Sequence, residues 1–389
     1  MMTDRALFLS IILLITIGIV LSYSLSTYIV ILFDYNPFHF AMRQTLFAFV
    51  SIFMMWFISQ GDAEKVLHPL GLSLFFIGMF LMLIMPFLPS FLVSEVGGAK
   101  RWIKLFGFSL APVEFFKVGF VYFLAWSFTR KLNDHHSELR LRDEFARFMP
   151  YAFVFIIIMF LIAFMQNDLG QVVVLGLTLA FLLFFAGSSF KFFLSLISLA
   201  FMAFIFFIAT AEHRIIRIKS WWASVQGFVL GLFPESIAEQ LRITVREEPY
   251  QIGHSLNAIH NGGFFGTGLA NGSFKLGFLS EVHTDFVLAG LAEEFGFFGV
   301  LFVTFIVIVI LQRIFKIANR SENQVFYLFS VGIGLLFAFA FLMNAYGISG
   351  LTPIKGISVP FLSYGGSSML AASIGMGMVL MVSKKMRKT

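Results

Sequence analysis

The chain has 389 residues, 59% of them hydrophobic and 12% charged, with a mean hydropathy of +0.91. A soluble domain carries about 25% charged residues, so a water-soluble globular protein is excluded and the bilayer takes the place of water as solvent. The net charge of +6 comes largely from Lys and Arg in loops and tails, which orients a chain in a membrane and gives no ground for nucleic-acid binding; the absence of cysteine removes disulfide and thiolate chemistry.

Membrane-spanning strands would show alternating segments of roughly ten residues, whereas this sequence has continuous apolar blocks of about twenty. The expected fold is therefore all-α: one polytopic domain over residues 1–389 with about ten transmembrane helices. The first run, 6–33, has too long an apolar core for a cleavable signal and reads as an uncleaved helix. Further spans are expected at about 41–59, 69–89, 111–128, 149–166, 170–187, 192–211, 286–312, 326–346 and 367–383.

An even number of spans puts both ends on one side. With that side cytoplasmic, the inner loops and ends hold Arg5, Lys65, Arg130, Lys131, Arg140, Arg142, Arg147, Lys191, Arg313, Lys316, Arg320, Lys384, Lys385, Arg387 and Lys388. The large outer loop, about 212–285, also carries cations, but long loops translocate regardless of charge. Its Trp221, Trp222, Phe228 and Phe233 predict order, with helices lying on the membrane surface.

Chemistry-bearing residues cluster at the outer ends of the spans. Arg43, in Arg43-Gln44, reads as a snorkelling cation or a phosphate contact. The loop Gly97-Gly98-Ala99-Lys100-Arg101-Trp102-Ile103-Lys104 sets three cations beside an aromatic, which suits an anionic headgroup or pyrophosphate and equally suits interfacial anchoring. In Pro112-Val113-Glu114-Phe115-Phe116-Lys117 the acid and the base share a helix face and can neutralise one another. Asp168, before an apolar run, can cap the next helix or pair with Lys117.

The glycine-rich stretch 261–272 lacks the ending of a phosphate-binding loop, leaving backbone flexibility or close approach to a substrate. His254, His260 and His283 have no zinc-site spacing. Asp285 opens the span 286–312; at that place it is either a helix cap or an outward-facing general base, and position alone favours the cap. Glu293 and Glu294 lie deeper, as structural or proton-relay acids. Residues 350–368, with two prolines, glycines and the hydroxyls of Ser367 and Ser368, predict irregular re-entrant backbone, which survives at membrane depth only where protein or a wet cavity encloses it.

Taken together, these motifs resemble the SEDS (shape, elongation, division and sporulation) family. The resemblance is carried by Arg43-Gln44, Gly98-Ala99-Lys100-Arg101-Trp102, Pro112 to Lys117, Asp168-Leu169-Gly170, Tyr250-Gln251 with Ser255-Leu256, and above all Lys275 to Phe286. Pro353-Ile354-Lys355-Gly356 and Pro360 to Ser368 look like its division branch rather than its elongation branch. The family usually has proline where Ser280 and Asn167 stand, a departure that changes loop stiffness and no chemical group.

The resemblance implies a bacterial inner-membrane peptidoglycan glycosyltransferase at the division septum. It would polymerise lipid II on the periplasmic side, release undecaprenyl pyrophosphate, and work with a class B penicillin-binding protein transpeptidase, other division proteins and membrane lipids. A lipid II flippase, an elongation-type polymerase and a non-catalytic scaffold are the alternatives. Asp285 matches the family's catalytic aspartate, which turns the balance from cap to base. Arg43, Arg101, Trp102, Glu114, Lys117, Asp168, Lys355, Ser367 and Ser368 are expected at the substrate site; no cofactor is required by the sequence, and a divalent cation, Mg or Mn, is left open.

Overall fold

The computed structural model describes residues 3–96, 99–105, 108–131, 140–210, 212–231, 233–243, 250–353 and 356–385. Helix α1, Arg5–Leu25, starts at Asp4, whose carboxylate accepts from the Leu7 amide at 2.9 Å. The expected single run 6–33 divides at Ser26, which bonds back to the Ser22 carbonyl at 2.6 Å, and resumes as α2, Thr27–Leu32. Helices α3, His39–Gln60, and α4, Ala63–Ile84, follow, the second capped by Asp62.

Next comes an element the all-α expectation did not contain. Strands β1, Val93–Val96, β2, Ala99–Leu105, and β3, Phe108–Leu110, form an antiparallel sheet in that order, with Val93 opposite Ile103 and Ile103 opposite Leu110. Val93 and Ile103 bury themselves with Met85 in a small core of their own, which repays the pairing of so short a sheet.

The remaining helices are α5, Pro112–Lys131; α6, Leu141–Phe160, ending in a π turn over Leu161–Met165; α7, Leu169–Phe185; α8, Phe190–Ala209; α9, Glu212–Leu230; α10, Glu235–Leu241; α11, Tyr250–Gly262; α12, Val287–Asn319; α13, Gln324–Ile348; and α14, Gly366–Ser383. The ten expected spans coincide with α1, α3 to α8 and α12 to α14. Seven of these helices are long and apolar enough to cross a membrane; α7 and α8 are shorter apolar helices, and α5 carries Glu114, Lys117, Arg130 and Lys131.

Helices α13 and α14 form the centre, 67% buried over their apolar stretches against 28–39% for the other five. Small residues let the helices approach closely, as lipid-embedded packing requires: a Cβ on Gly119 of α5 would stand 2.1 Å from the Phe75 amide nitrogen of α4. At one face the Asp4 amide meets Ser383, Asp4 pairs with Arg313 at 3.1 Å and Lys385 pairs with Glu64 at 3.1 Å, so the two ends of the described chain lie together.

Helix α12 is broken near its start. Gly296 takes φ 65°, ψ −165°, a backbone state open to glycine. The freed carbonyls of Glu293 and Glu294 accept from the Thr267 and Gly268 amides at 2.9 and 3.0 Å, and the freed Phe297 and Phe298 amides donate to the Gly263 and Phe264 carbonyls. The glycine-rich stretch thus makes its close approach to another part of the backbone: a Cβ on Gly266 would lie 2.2 Å from the Glu294 carbonyl oxygen. Glu294 forms a buried ion pair with Lys275 at 2.7 Å and bonds Ser24 of α1, while Glu293 accepts from Asn261 and from the Ser273 and Phe274 amides. Both acids thus hold neighbouring side chains and backbone in place. The loop 212–285 is therefore not wholly a surface cap, because its second half is woven into α12.

Candidate active site

Asp285 sits in the turn just before α12. It does not cap that helix: the cap position is Phe286, with no side-chain cap bond, because the preceding turn already uses Glu281 as its pivot. Glu281 adopts φ 54°, and its carbonyl accepts from the Thr284 and Asp285 amides at 3.1 and 3.0 Å.

The irregular segment before α14 packs against this turn. The Tyr364 amide donates to the His283 carbonyl at 2.8 Å and the Ser363 hydroxyl to the Thr284 carbonyl at 2.6 Å. Asn344, buried on α13, donates to the Asp285 carbonyl at 2.6 Å and the Ile357 carbonyl at 2.8 Å. Backbone that sequence alone marked as irregular is thus enclosed by protein, with Ile357, Val359, Phe361 and Leu362 buried.

These contacts leave a small cleft lined by Asp285, Asn344, Gly347, Gly356 and Ile357. Gly356 leaves the carboxylate its place: a Cβ there would lie 2.6 Å from Asp285 Oδ2 and oblige that side chain to shift. No donor among the described residues bonds the Asp285 carboxylate. Burial, then the charges of Glu281 and Asp168, push its pKa up to about 6, with Arg101 opposing. The ionised form still dominates at neutral pH, and a carboxylate so poised is matched to proton abstraction there.

The three cations of the 97–104 loop hold backbone. Arg101 donates to the Gln166 and Asn167 carbonyls at 2.7 and 2.8 Å, Lys100 to the Pro86 and Leu88 carbonyls, and Lys104 to that of Ser90. Carbonyls do not neutralise a guanidinium, so the field of Arg101 still reaches Asp285 and Asp168.

Lys117 and Glu114 pair at 2.8 Å as their spacing predicts, and Gln171 bridges them, accepting from Lys117 at 2.9 Å and donating to Glu114 at 3.2 Å. Asp168 caps α7 by accepting from the Gln171 amide; burial pushes its pKa up. Of the two expectations for Asp168 the cap is the one made; it forms no ion pair with Lys117, whose charge reaches it only through space. Gln171 was missed, although a polar residue one turn into an apolar helix, directly after Asp168-Leu169-Gly170, was the available signal.

Arg43 is exposed on α3 and bonds the Tyr364 side chain, while its neighbour Gln44 donates to the Ser363 carbonyl and accepts from the Gly365 amide. Ser367 joins the sheet to α14, donating to the Ser109 carbonyl and accepting from the Ala111 amide. Ser368 only closes its own turn onto Gly365, and Trp102 lies half-buried on β2 opposite Ser94; neither bonds Asp285. Lys355 lies outside the described residues.

A polytopic helical bundle with a part-buried carboxylate that no donor among the described residues bonds, in a cleft at the face opposite its chain ends, defines an integral membrane protein with a candidate acid–base site. The family model of the cell cycle proteins FtsW, RodA and SpoVE matches residues 4–388, and the chain belongs to that family, the one its motifs resemble. It is 49% identical over 387 residues, 99% of each chain, to a probable peptidoglycan glycosyltransferase FtsW of Helicobacter pylori. To that of Trichlorobacter lovleyi it is 32% identical, covering 98% of this chain and 93% of the relative.

Among solved structures, a chain of a peptidoglycan synthase complex that coordinates polymerization and crosslinking superposes with a TM-score of 0.73 at 20% identity over 98% of each chain. The rod shape determining protein RodA of Thermus thermophilus does so with 0.64 at 20% identity over 100% of this chain and 98% of that one. These two likenesses establish the fold.

Proposed function

We propose that this chain is the division-type peptidoglycan glycosyltransferase of its cell, with Asp285 as general base. The observation that carries the chemistry is the Asp285 carboxylate itself: bonded by no donor among the described residues, part-buried beside Gly356, and with its pKa pushed up to about 6. The full-length relationship to proteins named FtsW supports the substrate class, lipid II, and the division branch.

In this reading Asp285 removes the proton from a sugar hydroxyl of the acceptor lipid II as that oxygen attacks the anomeric carbon of the growing chain. The bond to undecaprenyl pyrophosphate breaks and the anomeric centre inverts. A placed base contributes about 10²–10⁴ in rate. The negative charge gathering on the leaving group requires fixed cations; Arg101 and Arg43 are the candidates, since Lys117 is already neutralised by Glu114. Among the described residues no three His, Cys, Asp or Glu side chains converge to hold a metal ion, so no step is routed through one.

Of the groups a transport reading would use, Glu294 is enclosed in an ion pair with Lys275 at 0% and 1% side-chain exposure, Glu293 accepts from Asn261 and from the Ser273 and Phe274 amides, and Glu114 pairs with Lys117. We place the Asp285 face on the periplasmic side of the inner membrane, both ends in the cytoplasm, and the protein at the septum beside a class B penicillin-binding protein. Purified protein with its cognate transpeptidase is expected to polymerise labelled lipid II, and Asp285→Ala to abolish polymer while the complex stays intact. Undiminished polymer from that variant would falsify the assignment of the base.

A further inference from the structure

Helix α3 reaches the Asp285 turn through a side chain to which the proposed chemistry gives no part. Gln44 is fully buried near the start of α3, and a buried carboxamide is costly unless its hydrogen bonds are met. Its orientation is set by what faces it: Nε2 donates to the Ser363 carbonyl at 3.2 Å, and Oε1 accepts from the Gly365 amide at 3.3 Å. Turning the amide over would break both bonds. The side chain thus pairs with the backbone on either side of Tyr364, as a neighbouring strand would.

The Ser363 carbonyl and the Tyr364 amide belong to one peptide group. Gln44 holds its oxygen, and its N–H donates to the His283 carbonyl at 2.8 Å. Ser363 Oγ accepts from the Val359 amide at 2.9 Å and donates to the Thr284 carbonyl at 2.6 Å. The two carbonyls that directly precede Asp285 are therefore held by residues 363 and 364, and α3 holds those residues in turn. Bonds in series through one peptide polarise and strengthen one another. A second contact runs the same way: Phe40, one turn before Gln44 on the same helix face, packs its ring edge-on against His283 at 5.2 Å and Tyr364 at 5.1 Å between centroids.

We propose that Gln44 is a positioning residue for Asp285: it fixes the 363–364 peptide against the carbonyls of the 283–284 segment and so aims the carboxylate in the cleft. This rests on reading Asp285 as the base. A misplacement of about 1 Å in a reacting group costs up to about 10²-fold in rate, so a turn held this firmly is part of what makes the base effective. The charged and titratable groups that act on Asp285 are Glu281 in its own turn, Asp168 before α7 and Arg101 on β2, with His283 two residues away.

The test uses the full chain with its cognate transpeptidase and labelled lipid II. Gln44→Met keeps the bulk and removes both bonds; it is expected to lower kcat about tenfold with KM for lipid II little changed. Because burial is the first cause of the raised Asp285 pKa, a loosened turn that admits water moves the acidic limb of the pH–rate profile to lower pH. Tyr364→Phe leaves the peptide bonded to Gln44 and His283, and is expected to keep that limb at the wild-type pH. Amide hydrogen exchange reads the clamp directly and needs no variant to fold. In wild type, residues 281–285 and 359–365 are expected to be protected although neither segment lies in a helix or strand, and Gln44→Met to deprotect both together.

A staple for stability alone would lower the melting temperature of Gln44→Met and leave kcat and the acidic limb of the folded fraction unchanged, which overturns the positioning role. Rapid exchange of the Tyr364 and Gly365 amides in wild type overturns it as well. An equal shift of the limb in Tyr364→Phe would assign the effect to the phenol and not to the peptide clamp, with the same result. Polymer formed by Asp285→Ala would instead remove the base while the exchange pattern stands, so the two failures are told apart.

Discussion

At the scale of residues, the cleft makes three demands. A Cβ on Gly356 would stand 2.6 Å from Asp285 Oδ2, so any larger residue there moves the carboxylate. Gly356→Ala is therefore expected to displace the carboxylate and reduce kcat by about 10²-fold with the fold intact, as read by polymerisation of lipid II and by melting in detergent. The base must be ionised to act, so kcat is expected to fall about tenfold per unit as pH drops below about 6.

The third demand concerns stability. Because the folded pKa lies above the ordinary value of 3.8, the folded chain carries a cost for ionised Asp285 that develops between those values and is complete above about 6. Asp285→Asn, which is never charged, is expected to melt higher than wild type at pH 7.5, with the difference gone near pH 4. A melting temperature for Asp285→Asn at or below that of wild type at pH 7.5 contradicts this account. The site would then be an instance of function maintained at the expense of stability.

At the scale of elements, the break in α12 is held from two directions. Gly296 supplies the backbone state, and the glycine-rich stretch supplies the hydrogen bonds that the break leaves open. Below them the Lys275–Glu294 pair is fully enclosed. Removing one partner leaves a buried charge, so Lys275→Met is expected to cost about 3–5 kcal/mol, whereas Lys275→Met with Glu294→Met recovers most of it. Thermal unfolding of both variants measures this, and equal destabilisation in the double variant would show that the pair itself, not charge compensation, secures the element. The break matters for function because the turn that carries Asp285 leads directly into its first half.

At the scale of the molecule, the ten helices that match the expected spans and the bonds of Asp4 with Arg313 and Ser383 set the chain ends at one face and the cleft at the other. The absence of cysteine makes the orientation directly measurable. Asn36→Cys, in the exposed turn before α3, is expected to react with a membrane-impermeant maleimide in intact spheroplasts, and Lys65→Cys only after lysis. The reverse pattern would invert the whole topology and with it the side on which lipid II is met.

What the sequence determined by itself was whatever depends on runs and local spacing. Ten apolar blocks gave ten helices because a bilayer leaves the backbone no other partner than itself. Glu114 and Lys117 found each other because three residues return to one helix face. Asp285 was legible through the motif around it, yet its local position suggested a cap it does not make. Only the tertiary structure decided the rest, since it depends on segments far apart in the chain meeting: the 281–285 turn against residues 356–364, Asn344 reaching both, Gln171 bridging the Glu114–Lys117 pair, and Arg101 donating to the 166–167 carbonyls. No local pattern records such meetings. The burial they produce is the largest cause of the raised pKa of Asp285, with Glu281 and Asp168 adding to it and Arg101 opposing.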